Sequence, residues 1–299
     1  MVHQATERSS GLISDLITSY FERRMARILL LGMISGFPWV LIGSSLSLWL
    51  KEDGLSRSAI GWAGLIFGVY AFNFLWAPLI DRLRIPVLTD RLGHRKAWII
   101  SLQAVILVCL MFWSTIDPST SLALVIGAGL IIAICSATQD ITIDALRIEQ
   151  IDKDDARGMA AGAAVAVVGW WSGYKIGGMI ALFLADYLET SGVANYWQMT
   201  FVMLGILIVL CNIGLLFIPE TGTKERAADQ RNAQQAMANR MGGSGPIVQL
   251  VSFLTTTVIE PLWSFFRKNG VQIGVMILAF IFLFKICLLY TSDAADERS

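Results

Sequence analysis

The chain has 299 residues, of which 55% are hydrophobic and 15% charged, with 23 basic and 23 acidic side chains and a mean hydropathy of +0.62. An average soluble domain carries about 25% charged residues, so an ordinary water-facing surface is excluded, and the apolar residues come in long runs rather than alternating. The zero net charge points to no partner of its own, and no nucleic acid is expected.

Residues 1–24 form a polar lead-in with Glu7, Asp15 and Glu22 and no apolar core ahead of Ala26, so a cleavable signal peptide is not expected. Seven apolar runs follow, near residues 28–50, 59–80, 97–116, 121–145, 158–185, 198–218 and 271–291. A bilayer core of ~30 Å is crossed by about 20 residues at 1.5 Å rise, which makes this a polytopic membrane protein with a six-helix block over 25–218. The connection after the second run carries an Asp81-Arg82 pair and then D-R-x-G-x-R-K: Asp90, Arg91, Gly93, His94, Arg95 and Lys96. The glycine permits a tight turn, and the mixed charges can latch onto neighbouring helix ends as a gating loop. A plain charge run is the alternative.

The fourth run holds no charge from Thr120 to Gln139 and then places Asp140 and Asp144 four residues apart on one helix face, with Arg147 three further on. A charge near the bilayer centre costs roughly 2.5–3.5 kcal/mol on insertion scales. Counted from Ser121, Asp140 lies roughly 28 Å along the run, at its inner mouth. Two readings stand side by side: a structural charge cluster that holds an inner gate, and proton or substrate handling. In the second, Asp140 couples a proton, Asp144 pairs with Arg147, and Gln139 points about 100° round the helix toward the path.

The fifth run has glycines at 158, 162, 169, 173, 177 and 178, the small-residue spacing that lets helix backbones approach closely; lining a substrate path is the second reading. Lys175 lies roughly 26 Å along this run, beside Trp170, Trp171 and Tyr174. Aromatic faces around a cation suit an anionic sugar; a snorkelling lysine is the alternative. After the sixth run, 219–269 reads as a linker whose second half, with Pro261, lies along the membrane surface and feeds the seventh helix. An eighth span fits less well, because Glu260 and Pro261 interrupt it. The seventh helix is partial, 270–291, and residues 292–299 read as a non-native tail.

Of the basic residues assigned to connections, 18 fall on one side and two, Lys51 and Arg57, on the other. The positive-inside rule therefore expects a cytoplasmic N-terminus. Trp49, Trp98, Trp113 and Trp197 stand at run ends, where indoles are expected at headgroup level. The cysteines 109, 135, 211 and 287 lie inside runs with no metal-ligand spacing, so no metal or cofactor is expected, and His3 and His94 lie outside every run.

The stretches ISGFPWVLIGSSLSLWL, NFLWAPLIDR, SATQDITIDALR and IEPLWSFFRKNG resemble those of AmpG-type permeases, over about Ile28 to Lys285. The resemblance implies the N-terminal half of a major facilitator transporter of the bacterial inner membrane, monomeric when full length. It also implies proton-driven import of anhydro-muropeptides for cell-wall recycling, by alternating access between two six-helix halves. Family members often carry Lys where this chain has Asn73, which places Asn73 on the substrate path with Lys175, Trp171 and Tyr174. Alternatives are a major facilitator carrier of another solute (acetyl-CoA transporter-like), a non-transporting scaffold, and a membrane prenyltransferase-type enzyme. The last would need a second Asp-rich motif, which this chain lacks.

Overall fold

The computed structural model describes residues 22–152, 154–220 and 255–280, with Tyr20, Leu283 and isolated positions between 228 and 253. The lead-in before Tyr20, most of the linker's first half, the seventh run past Phe280 (Leu283 apart) and the 292–299 tail lie outside the described residues. The chain divides into two compact units, Met1–Ile66 with Val87–Thr221, and Phe67–Pro86 with Gly222–Ser299.

All regular structure among the described residues is helical. Six helices are long and apolar enough to cross a membrane: α1 (Arg23–Glu52), α2 (Arg57–Leu75), α3 (His94–Trp113), α4 (Pro118–Ile148), α5 (Ala156–Thr190) and α6 (Tyr196–Leu216). The boundaries lie within three residues of the apolar runs except that α1 begins five residues before its run, α2 ends five residues short of its run and α5 extends five residues beyond its run. Most of the first unit's core lies between α1, α3, α4, α5 and α6. Near the basic end of the helices, Leu31, Ile34, Ile99, Ile143, Leu146, Leu215 and Ile218 form one buried cluster.

α1 is not uniform. It is α-helical over Arg23–Trp39, widens to a π-helix over Val40–Ser45, and resumes as α-helix over Leu46–Glu52. Pro38 sits just before the widening. Proline has no N–H to give the carbonyl four residues back and its ring crowds that carbonyl, so a local change of pitch follows.

α1 packs along α5 with glycines on both sides. A Cβ on Gly32 would stand 2.4 Å from the Ala166 carbonyl oxygen, and one on Gly36 would stand 2.0 Å from that of Trp170. Gly169 and Gly173 meet the carbonyl oxygens of Leu29 and Met33 at 2.4 and 2.3 Å in the same sense. The backbones are thus nearly in contact, and close packing accounts for these two α5 glycines. Gly178, by contrast, faces open space.

Three of the run-end tryptophans differ from expectation. Trp49, Trp113 and Trp197 are buried and cluster around Phe201, with centroid separations of 5.0–6.0 Å. The protein itself satisfies two of the indole N–H groups: Trp113 donates to the Val125 carbonyl at 3.0 Å and Trp197 to Glu52 at 2.5 Å. With those polar handles bonded inside, the rings can serve as core.

α2 is broken where the apolar run suggested one helix. Its turns alternate between α (Arg57–Gly64, Val69–Phe72) and 3₁₀ (Leu65–Gly68, Asn73–Leu75). Gly61, Gly64 and Gly68 lower its helical preference along this stretch. In the second unit, Glu260–Asn269 is an amphipathic helix ending at Gly270, which has φ +77°, and Val271–Phe280 follows as a shorter apolar helix. Phe265 and Phe266 lie against Gly274, and the Arg267 guanidinium sits 5.0 Å from the Trp263 ring centre.

Candidate functional site

α1 and α4 meet through polar atoms at Ile34, Ser35, Gln139 and Asp140. Gln139 is fully buried, and its Nε2 donates to the Ile34 carbonyl at 3.0 Å. The next residue, Asp140, is half-buried and accepts a short hydrogen bond from the hydroxyl of Ser35. Two consecutive residues of α4 therefore grip two consecutive residues of α1, one turn before Pro38. Near this contact, the Gln139 Oε1 and the Ser136 hydroxyl are buried without a partner among the described residues.

One turn further on, Asp144 is exposed and pairs with Arg147 within α4, Nε to Oδ1 at 3.1 Å. The two carboxylates thus have different surroundings. Asp140 faces α1, whereas Asp144 is 70% exposed and held by its own helix.

The basic end is latched through the connection between α2 and α3. Gly93 has φ +103°, a conformation that favours glycine, and a Cβ there would stand 2.4 Å from Glu220. Glu220, just past α6, accepts from the backbone N–H groups of Arg95 and Lys96 at 3.0 and 3.1 Å. These are first-turn amides of α3, which lack intrahelical acceptors, so a carboxylate there satisfies both donors and matches the helix dipole. Arg95 also reaches Glu149, at the end of α4, at 2.6 Å. Gln150 adds a bond to the Pro219 carbonyl at 3.0 Å. The ends of α3, α4 and α6 are joined through this connection. Asp90 and Arg91 are exposed on the short helix Leu88–Leu92.

A second latch joins α1 to α5. Arg24 bonds Glu22 at 2.5 Å and Asp155 at 2.8 Å. Asp155 also accepts the Gly158 N–H at 2.7 Å, capping α5. The Gly158 N–H first and Arg24 second hold the Asp155 carboxyl below its ordinary range.

Lys175 lies among rings of its own helix: its Nζ is 5.7 Å from the Trp171 ring centre and 5.1 Å from that of Tyr174. Trp170 packs edge-on to Trp171 at 5.2 Å, stacks on Tyr174 at 5.8 Å and meets Trp39 of α1 at 5.5 Å. Trp39 directly follows Pro38. The rings and the ammonium form a surface with both apolar faces and a positive charge. In the second unit, Asn73 is buried, Asp81 is exposed and Arg82 half-buried.

Sequence reasoning missed Ser35, Glu149, Asp155 and Glu220. Glu220 and Asp155 give no local signal of their roles. Pro38 did give one, since a proline inside an apolar run frees a carbonyl that must find another donor.

Residues 28–292 match the Major Facilitator Superfamily model. Among curated proteins, the chain is similar to "Putative transporter AmpG 4" of Rickettsia felis, 33% identical over 272 residues, covering 91% of this chain and 58% of that protein. It is similar to "Anhydromuropeptide permease" of Escherichia coli K12, 30% identical over 275 residues, 91% of this chain and 48% of the relative. An uncharacterized protein of Haemophilus influenzae is 30% identical over 273 residues, with 91% and 56% covered. The chain spans about half the length of these relatives. The superfamily is one of membrane transporters rather than enzymes, which sets aside the prenyltransferase alternative. The six apolar helices and the match over nearly the whole sequence agree: this chain belongs to the Major Facilitator Superfamily.

Proposed function

We propose that this chain is the N-terminal half of an inner-membrane carrier that imports anhydro-muropeptides, coupled to protons and working by alternating access with a second six-helix half. The observation that carries the solute reading is the similarity, over 91% of the chain, to a permease named for anhydromuropeptide. The Lys175 surface supports it: rings stack on apolar sugar faces while the ammonium meets the acidic groups of a muropeptide.

In this reading Asp140 carries the coupling proton. Its carboxylate accepts from the Ser35 hydroxyl, so taking up a proton changes a hydrogen bond between two helices. Asp144 and Arg147 belong to the gate, with the Asp90–Lys96 connection, Glu149 and Glu220. The basic end faces the cytoplasm, as the 18 to 2 distribution expects.

The test is uptake of labelled anhydro-muropeptide by a permease-deficient host making the full-length carrier that contains these residues. Accumulation above the outside concentration, abolished when the proton gradient is collapsed, is the expected result. Accumulation that survives collapse contradicts proton coupling, and absence of uptake by a correctly inserted protein contradicts the solute.

A further inference from the structure

Pro38 leaves the Ile34 carbonyl without its intrahelical donor, because the N–H that would bond it is the one proline lacks. Ile34 is fully buried, and in a membrane-spanning helix an unpaired carbonyl has no water to turn to. The donor that reaches it is the Gln139 side chain, 105 residues away, at 3.0 Å. Gln139 is itself fully buried, so its amide has no solvent alternative either.

We infer that Gln139 is a positioning residue: it supplies from α4 the backbone donor missing at Pro38, and so fixes the pitch change of α1. Three features meet at this point. The π-helix Val40–Ser45 begins two residues past Pro38, and such widened turns concentrate at functional positions. Ser35, next to Ile34, bonds Asp140, next to Gln139. Trp39, next to Pro38, meets Trp170 at 5.5 Å, and Trp170 adjoins Trp171 and Tyr174, the rings around Lys175. The Gln139–Ile34 bond therefore stands next to the carboxylate contact at Ser35 and five residues before the aromatic contact at Trp39, on the turn of α1 that Pro38 deprives of a backbone donor. A displacement of α4 at this level is transmitted to α1 through a hydrogen bond rather than through side-chain packing alone. A leucine of similar size preserves the packing and removes the donor.

The consequence for solute rests on the function proposed above; the bond itself does not, and its test needs no transport. The 299-residue chain is purified in detergent micelles as Gln139→Leu, Pro38→Ala and the double variant, and thermal stability is measured. Alanine at 38 restores a backbone N–H for Ile34. Gln139→Leu is expected to lower the unfolding midpoint clearly in the proline background and by less than about half as much in the alanine background, the non-additivity of residues sharing one partner. Equal losses in both backgrounds overturn the inference, as does a Gln139→Leu variant as stable as the parent. If Gln139→Leu fails to fold, recovery of folded protein in the double variant supports the inference and continued failure overturns it.

A spectroscopic signature separates the bond from general packing. With ¹³C-carbonyl isoleucine and ¹⁵N-serine, three links report, Ile13–Ser14, Ile34–Ser35 and Ile100–Ser101, and the Ile34 signal is the one that disappears in Ser35→Ala. Its shift is expected to move on Gln139→Leu and to return toward the bonded value in the double variant; an unmoved shift overturns the assignment. In the full-length carrier, normal uptake by Gln139→Leu together with a confirmed bond would remove the solute consequence alone.

Discussion

Replacing Gly36 by alanine tests the α1–α5 contact at its tightest point. The added Cβ would lie 2.0 Å from the Trp170 carbonyl oxygen, 2.8 Å from its carbon and 3.1 Å from its Cα, all backbone atoms that no rotamer can move aside. Reaching an ordinary contact of 3.4 Å requires the helices to part locally by ~1.4 Å. A gap of 0.5–1 Å already forfeits roughly a quarter to a half of each dispersion contact. The neighbouring approaches at Gly32, Gly169 and Gly173 loosen together with it. Overpacking of this kind costs about 1–3 kcal/mol or more, against a gain of up to about 1 kcal/mol from the helical preference of alanine. The control is Gly178→Ala, where nothing lies within 4 Å of the new methyl, and which is expected to be neutral or slightly stabilising. Both variants are compared by thermal unfolding in detergent, followed by helical circular dichroism. Equal stability of the two would refute the claim that backbone contact joins α1 and α5.

Glu220→Ala removes the acceptor for the Arg95 and Lys96 amides and is expected to destabilise by about 1 kcal/mol, with Glu220→Gln losing less; chemical unfolding compares them. Asp155 has a carboxyl pKa below its ordinary value of 3.8, so its stabilising contribution is present above the ordinary range and is lost as pH falls through the depressed value. Stability measured from pH 6 down to about 2 should therefore fall less steeply at the acid end in Asp155→Asn than in the parent. Asp144→Asn should cost less than about 1 kcal/mol of stability, because the ion pair with Arg147 is exposed on the carboxylate side. Any transport defect it causes should be partly rescued by also neutralising Arg147. With the native cysteines removed, an impermeant thiol reagent on intact spheroplasts should label Ser191→Cys and leave Gln235→Cys unlabelled; the reverse pattern inverts the orientation.

The spans were legible because bilayer thickness imposes a length on an apolar run, and the fold class followed from the count of runs together with the four stretches that resemble AmpG-type permeases. The pairing of α1 with α5 was half legible. GWWSG on α5 announced a close approach, but only the three-dimensional contact identifies GMISG, Gly32 to Gly36, as its partner. The breaks in α2 were hidden, because hydropathy is blind to whether successive turns are α or 3₁₀. At the candidate site, Asp140 and Asp144 stood out as charges ending an uncharged run, while their difference in environment depends on Ser35. Gln139 was noticed for its amide, yet its acceptor is a backbone atom. A carbonyl is present at every residue, so no side-chain pattern marks the one that Pro38 sets free. Glu220 was hidden for the same reason, since it binds backbone N–H groups 124 and 125 residues away.

The assignment of Asp140 as the coupling carboxylate is tested most directly by separating accumulation from exchange in the full-length carrier. Asp140→Asn keeps the size of the side chain and removes its capacity to take up and release a proton. Proteoliposomes containing the variant are given labelled anhydro-muropeptide, once with an imposed proton gradient and once with unlabelled solute inside and no gradient. Exchange at a measurable rate with no accumulation above equilibrium is the expected result; accumulation to the parent's level would contradict it.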